Sequence, residues 1–158
     1  MTSKLQNALN EQITAELWSA NLYLSMSFYM KKDYDGFAHW LKKQSEEENE
    51  HACTIADYMT KRDATPKVDK IDVVPQSWKN ILECFETVYE HECHVSKLID
   101  DLVKVASEEK DNATQDFLWN FVREQVEEEA TAKSIVDKIK KAGDAAIFYL
   151  DAQLGERK

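Results

Sequence analysis

The sequence predicts an all-α protein: a four-helix bundle with one long crossover between its second and third helices and a short fifth helix at the C-terminus. Its 158 residues include only three glycines and two prolines. This leaves long segments rich in alanine, leucine, glutamate and lysine, the composition of helices. Both prolines fall in one stretch near the middle of the chain, which separates two pairs of helices. The length suits one domain better than two, so residues 1–158 are expected to form a single domain.

The first two helices are expected at 3–32 and 36–62, joined by a tight turn. Ser3 and Gln6 have the spacing of a capping box at the start of the first helix. The run Asp33-Tyr34-Asp35-Gly36 is typical of a turn, because aspartate and glycine both favour turn conformations. A connection this short predicts an antiparallel hairpin.

Residues 63–77 are expected to cross the bundle from one end to the other without forming a helix. They contain both prolines and the β-branched run at 71–74. In an extended conformation they could cover roughly 50 Å, whereas a helix of about 28 residues is only about 42 Å long. A single long crossover of this kind defines one class of four-helix bundle.

A second hairpin follows, with helices expected at 78–107 and 112–142. Ser77 can cap the first of these helices and Asn112 the second. A glycine ends the fourth helix, and a last short helix is expected at 144–154.

Charge, hydropathy and cysteine usage narrow the classes of partner and compartment. The net charge of −10 at pH 7 argues against nucleic acid and suits cations, although acidity alone serves solubility equally well. No apolar run is long enough to span a membrane, and the N-terminus lacks the apolar core of a signal peptide. The three cysteines share no metal-ligand spacing, which indicates a reduced, cytoplasmic protein.

Each long helix carries an apolar stripe with helical spacing, and polar residues interrupt every stripe near its middle. The interrupting residues are carboxylates with one histidine and one glutamine beside them: Glu16, Glu48, His51, Glu92, Gln125 and Glu128. An unpaired buried carboxylate costs several kcal/mol. An interruption in all four helices therefore requires a compensating cation or protonation.

These interruptions also share one height along the bundle. Glu16 lies about 18 residues before the first expected turn, and His51 lies about 17 residues after it. Glu92 and Glu128 each lie about 18 residues from the second expected turn, on opposite sides of it. At 1.5 Å per residue, all four lie about 27 Å from the turns and in one cross-section. Metal binding is the favoured explanation.

The types of ligand indicate iron. Glu48 and His51 form a Glu-x-x-His motif, whose spacing points both side chains inward from one helix. Such pairs, combined with a central glutamate from each of two other helices, form the di-iron carboxylate arrangement. Oxygen ligands with one imidazole bind Fe(II) and bind the harder Fe(III) more strongly, which favours oxidation by dioxygen. A lone Glu-x-x-His is common on surface helices, so the prediction depends on the agreement of all four helices.

Over essentially its whole length the sequence resembles the bacterial non-haem ferritins, which are ferritin-like di-iron carboxylate proteins. The most specific matching segments are Leu9-Asn10-Glu11-Gln12 leading to Glu16 and Tyr23, Glu47-Glu48-x-x-His51, His91-Glu92 and Glu124-Gln125-x-Glu127-Glu128-Glu129. The resemblance implies an iron-storage subunit that binds Fe(II) and oxidises it to Fe(III) with dioxygen or hydrogen peroxide. It also implies that ferric mineral is deposited inside a homo-oligomeric shell of 24 subunits.

The resemblance further implies the ligands of three iron sites. The first iron would be held by Glu16, Glu48 and His51. Glu48 would bridge to a second iron. That iron would also be held by Glu92 and Glu128, and Gln125 would lie nearby. A third iron beside the pair would use Glu47, Glu124 and Glu127, with Glu128 linking it to the pair. Tyr23 would hydrogen-bond a ligand or supply an electron, and simple core packing is the alternative for this residue.

Two departures from haem-binding relatives are informative. Asn49 stands where those relatives have a methionine, which predicts that no haem binds. The pair Gln125-x-x-Glu128 stands where they have a second Glu-x-x-His. The second iron therefore lacks an imidazole and is expected to move on to the mineral.

Two other functions remain open from the sequence. One is a soluble di-iron peroxidase or oxidase resembling rubrerythrin, although the chain lacks the Cys-x-x-Cys pairs of a rubredoxin module. The other is a metal-free structural or signalling bundle, which would have to bury its carboxylate layer without a counter-ion.

Overall fold

The computed structural model describes residues 1–158, which form five helices and no strands. The helices are α1 (Ser3–Lys31), α2 (Asp35–Lys61), α3 (Ile81–Glu108), α4 (Asn112–Lys141) and α5 (Asp144–Leu154). α1 packs along α2 and α3 along α4, α1 also contacts α3, and α5 lies against α2. The predicted all-α bundle with one crossover and a short fifth helix is confirmed. None of the five helices has an apolar stretch sufficient to cross a lipid bilayer.

Three helices begin at caps other than the expected ones. Each observed cap accepts a hydrogen bond from the backbone N–H three residues later: Thr2 for α1, Asn80 for α3 and Asp111 for α4. The expected caps are wrong because Ser3 and Asn112 are already helical and Ser77 lies in the crossover. Neighbouring residues of equal capping ability cannot be separated by residue type alone.

The crossover is longer than expected, because α2 ends at Lys61 and α3 begins only at Ile81. Trp78, which falls inside the predicted third helix, lies in this crossover and is nevertheless buried. Tyr29 of α1 donates a hydrogen bond to the Trp78 carbonyl oxygen. Near the other end, the Asn10 side chain bonds the backbone of two crossover residues at 2.7 and 3.2 Å. The crossover is therefore hydrogen-bonded to α1 near both of its ends.

The core consists of two apolar clusters with a polar layer between them. The cluster near the α1–α2 turn includes Leu22, Phe37 and Phe85, and the other includes Leu9, Ile55 and Ile99. In every long helix the two clusters are separated by the polar residues that interrupt the stripe. Four of these residues are buried: Glu16 and Glu48 are 1% exposed, Glu92 is 0% and Gln125 is 6%. His51 and Glu128 are half-buried. The bundle thus contains the layer that the helix geometry predicts.

α5 lies against the first turn of α2, where the two backbones approach closely. The Asp151 side chain accepts a hydrogen bond from the Phe37 backbone N–H at 2.9 Å. A Cβ atom at Gly36 would lie only 1.7 Å from the Asp151 carbonyl oxygen. Only glycine at this position permits α5 to dock here.

Replacing Gly36 with alanine is therefore expected to destabilise the protein, although alanine is favoured over glycine inside a helix by about 1 kcal/mol. The added methyl group meets backbone, so α5 must move, and overpacking of this kind typically costs about 1–3 kcal/mol. The measurement is the midpoint of denaturant-induced unfolding. Gly143→Ala is the control, because a Cβ at Gly143 has nothing within 4 Å. A stabilised Gly36→Ala variant would contradict the docking of α5.

Candidate metal centre

The side chains of Glu16, Glu48 and His51 form a compact group of metal-ligand type, with one ligand atom from each lying within 4.8 Å of the others. Glu16 comes from α1, and the other two lie one turn apart on α2. His51 Nδ1 lies 3.4 Å from Glu48 Oε2 and 3.9 Å from Glu16 Oε2. Two buried carboxylates and a half-buried imidazole converge here.

One oxygen of this group has no hydrogen-bond partner. Glu16 Oε1 accepts a hydrogen bond from Gln12 Nε2 at 2.9 Å. Glu16 Oε2 is buried and accepts no hydrogen bond, with His51 Nδ1 3.9 Å away. An unsatisfied buried polar atom costs about 1–3 kcal/mol and is rare in native proteins. A cation between Glu16, Glu48 and His51 would satisfy this oxygen. The residues present therefore fit a metal ion.

A second group surrounds Glu92 of α3, whose two oxygens are both hydrogen-bonded. Glu92 Oε1 accepts from the Tyr23 hydroxyl and, at 3.2 Å, from Gln44 Nε2. Glu92 Oε2 accepts from Gln125 Nε2 at 3.1 Å. Gln44 Nε2 also donates to Glu128 Oε2 at 2.7 Å. One amide thus joins the two carboxylates that the resemblance assigns to a second iron, and the sequence gives no indication of this role for Gln44.

Burial raises the pKa of every carboxyl in the layer. For Glu16 the pKa lies well above 4.5, because neighbouring Glu48 adds to the effect of burial. Burial and then the charge of Glu92 raise the pKa of Glu48, and burial raises the pKa of Glu92 to about 7. The pKa of Glu128 is also raised by burial, against the opposing hydrogen bond from Gln44. Glu48 interacts with both Glu16 and Glu92, as a ligand that bridges two metal ions would.

His51 is held as an imidazolium ion. Burial lowers the pKa of the ring, but the hydrogen bonds with Glu124 and Glu48 and the charge of Glu16 outweigh it and raise the pKa to about 11. His51 Nε2 lies 3.1 Å from Glu124 Oε1. A metal at Nδ1 would displace one proton and leave the other on Nε2, with Glu124 orienting the ring.

The three carboxylates assigned to a third iron do not form a comparable cluster. Glu124 is engaged with His51, and Glu47 Oε1 lies 2.9 Å from Arg157 Nη2. Glu127 is exposed. Glu47 and Glu124 do line one cavity of about 340 Å³ together with His51. A third ion there would require Glu47 to leave Arg157.

Tyr23 both packs in the core and bonds the polar layer. Its side chain is 0% exposed, and burial, with the charge of Glu92, keeps its pKa well above 10. The ring of His91 lies edge-on at 5.8 Å, and His91 Nε2 lies 2.7 Å from Ser19 Oγ. Burial lowers the pKa of His91 to about 4. His91 is therefore a neutral contact between α1 and α3.

The fold and this layer define a class: a carboxylate metal-binding four-helix bundle with one long crossover. A family model described as the ferritin-like domain matches residues 6–142. The chain therefore belongs to the ferritin family.

Comparisons with individual proteins agree with that membership. The chain is 67% identical over 158 residues to a bacterial non-heme ferritin of Bacteroides fragilis (strain 638R), with 99% of each protein covered. It is 38% identical over 145 residues to a bacterial non-heme ferritin of Campylobacter jejuni, covering 91% of this chain and 87% of the relative. An open pore ferritin from the hyperthermophilic archaeon Archaeoglobus fulgidus superposes with a TM-score of 0.98 at 42% identity, covering 100% of this chain and 99% of the other. The resemblance and the fold class predicted from the sequence are confirmed.

Proposed function

We propose that this chain is an iron-storage subunit that binds Fe(II), oxidises it to Fe(III) inside the bundle and deposits the product as ferric mineral in a shell. The observation that carries the proposal is the buried Glu16 Oε2, which lies beside Glu48 and His51 and accepts no hydrogen bond. A buried layer of carboxylates without a cation is unfavourable, and a divalent ion neutralises it. The names of the similar proteins support iron as that ion.

In this proposal each side chain of the layer has a defined part. Glu16, Glu48 and His51 hold the first iron, and Glu48 bridges to a second. Glu92 and Glu128 complete the second site. Gln125 lies nearby, where its amide supports Glu92. The second site lacks an imidazole, so we expect iron to leave it for the mineral after oxidation.

The chemistry follows from the donor atoms. Carboxylate oxygens bind Fe(III) more strongly than Fe(II), so the site favours loss of an electron. Two ferrous ions held side by side would supply two electrons, which with two protons from solvent reduce one dioxygen to hydrogen peroxide, or one hydrogen peroxide to two waters. The Tyr23 hydroxyl stays protonated because burial raises its pKa. It can therefore hold Glu92 or supply a further electron together with its proton.

We further propose a third iron at Glu47, Glu124 and Glu127, with Glu128 linking it to the pair once Glu47 is released from Arg157. We also propose a homo-oligomeric shell of 24 subunits. Large apolar side chains on two outer faces support contacts between subunits: Phe28 is 68% exposed, Val73 83%, Phe148 64% and Tyr149 74%. All three cysteines are free, which suits the cytoplasm as the compartment.

The proposal is tested by adding Fe(II) in air to the metal-free protein in steps, until the total exceeds three ions per subunit. The ferric absorbance and the particle size by light scattering are measured together. The expected result is fast oxidation, iron that stays soluble far beyond the occupancy of the sites, and a very large particle. Oxidation at the rate of buffer alone, with precipitation, would refute the proposal. Sustained peroxide turnover without iron deposition would favour a peroxidase instead, and a stable monomer or dimer would refute the shell.

A further inference from the structure

The chain after α5 returns to α2 beside the metal-binding layer, where Arg157 is held by several partners. Arg157 Nη1 donates to the Trp40 carbonyl oxygen and to Gln44 Oε1, both at 3.0 Å. Its Nη2 lies 2.9 Å from Glu47 Oε1. The guanidinium carbon lies 4.6 Å from the centroid of the Trp40 ring, and the Arg157 side chain is only 20% exposed. The guanidinium group is therefore fixed in position and orientation.

Gln44 transmits this contact to the carboxylates. Its side chain is 1% exposed and lies between Arg157 on one side and Glu92 with Glu128 on the other. Arginine has donors and no acceptor, so the Gln44 atom that faces it must be the amide oxygen. The amide nitrogen then points toward the two carboxylates, to which it donates at 3.2 and 2.7 Å. A reversed amide would place its oxygen against both carboxylates and its NH₂ group against a cation.

We propose that Arg157 is a positioning residue for the second metal: through Gln44 it holds Glu92 and Glu128 in the arrangement that binds the ion. The second site is then complete only when the C-terminal tail is docked on α2. This inference rests on the proposed function, which assigns Glu92 and Glu128 to the second iron. Arg157 donates no hydrogen bond to either carboxylate, so its hydrogen-bonded link to them runs through Gln44.

The charge of Arg157 alone would change the metal affinity in the opposite direction. A guanidinium ion near the layer repels a divalent cation, and it also occupies Glu47, a candidate ligand. If charge alone mattered, removing Arg157 would strengthen metal binding, and lysine in its place would preserve the native affinity. If Arg157 positions Gln44, both substitutions weaken binding, because lysine cannot reproduce the forked and stacked contacts of arginine.

The test measures Co²⁺ binding to the assembled, full-length protein by calorimetry and by the visible absorption of bound Co²⁺. Cobalt is not oxidised in this assay, so the readout is independent of iron oxidation. Arg157→Gln and Arg157→Lys are each expected to lower the affinity for the second Co²⁺ by roughly 10-fold, the lower end of the range for loss of an outer-shell partner. The first Co²⁺, at the site with the imidazole, is expected to bind with native affinity. Lys158→Gln is the control, because it removes a charge from an exposed neighbour.

A double-mutant cycle identifies the route. In a Gln44→Leu protein, Arg157→Gln is expected to cause no further loss at the second site, since Arg157 acts through Gln44. Tighter binding in Arg157→Gln, equal losses at both sites, or native affinity in both Arg157 variants would each overturn this inference alone. Failure of the native protein to bind any Co²⁺ would overturn the proposed function as well.

Discussion

Replacing Glu48 with glutamine is expected to slow the oxidation of Fe(II) by roughly 100-fold or more. Loss of an outer-shell partner alone costs about 10–100-fold, and loss of Glu48, which we propose as the bridging ligand, should cost at least as much. Glutamine keeps the volume of this 1% exposed side chain but offers a neutral oxygen where the two proposed iron ions would need an anionic one. The fold should therefore survive while the site fails. The measurement is stopped-flow absorbance of the ferric product after adding two Fe(II) per subunit in air.

Glu46→Gln is the matched control, because it makes the same chemical change two residues earlier on the same helix. Glu46 is exposed, and its carboxylate pairs with Lys43 at 3.1 Å. This variant is expected to oxidise iron at the native rate. Equal loss in both variants, or a native rate in Glu48→Gln at the same assembled size, would show that oxidation takes place elsewhere.

The height of the polar layer could be predicted from the sequence because helix geometry fixes it. Residues at equal distances from a tight turn must lie at the same height in a hairpin, and their position on the apolar stripe turns them inward. Carboxylates are conspicuous on an apolar stripe, so Glu16 and Glu92 identify the layer without any tertiary information. The topology was also predictable, since only one segment is both poor in helix formers and long enough to cross the bundle.

The contacts that support the layer could not be predicted. Gln44 lies on the apolar stripe of α2, but an amide there is compatible with ordinary core packing, and nothing local shows that it joins two carboxylates. The partner that orients it, Arg157, is 113 residues away in the chain. A hydrogen bond between residues so far apart in the chain leaves no pattern in the sequence. The same limit applies to Trp78, which is buried by tertiary contacts although it lies outside a helix.

The metal-free protein is expected to be more stable at pH 6 than at pH 8. The pKa of Glu92 is raised from 4.5 to about 7, so the folded protein binds this proton more tightly, and stability falls as the pH rises through that window. The pKa of His51 is raised from 6.5 to about 11. Its stabilising contribution is complete below 6.5 and declines as the pH rises toward 11. Both groups therefore act in the same direction between pH 6 and 8.

The size of the change is on the order of 2 kcal/mol, because one pKa unit corresponds to about 1.4 kcal/mol. For a chain of this length, that shifts the melting temperature by roughly 4–8 °C. Two groups shift in the opposite direction: Glu124, whose pKa is lowered by His51, and His91, whose pKa burial lowers from 6.5 to about 4. Glu124 operates at lower pH, and the contribution of His91 is nearly complete above about pH 6.5, so it reduces the effect without cancelling it. Thermal unfolding followed by circular dichroism at constant ionic strength measures the difference. Glu92→Gln, which removes one of the two groups, should flatten the pH dependence.

Saturating Zn²⁺ is expected to reverse this order, so that the protein becomes more stable at pH 8 than at pH 6. Metal binding requires His51 to lose a proton and the carboxyls to be ionised, so the affinity rises with pH. At one fixed Zn²⁺ concentration, equal to 100 times the dissociation constant at pH 8, binding stabilises the folded state at pH 8 by about 2.7 kcal/mol, which exceeds the expected loss. The same concentration stabilises the protein less at pH 6, where the affinity is lower. A pH dependence that Zn²⁺ leaves unchanged would mean that the raised pKa values belong to a layer that folds protonated and does not bind metal. Reversal would show that the same buried carboxyls that destabilise the metal-free bundle provide the binding energy for the cation.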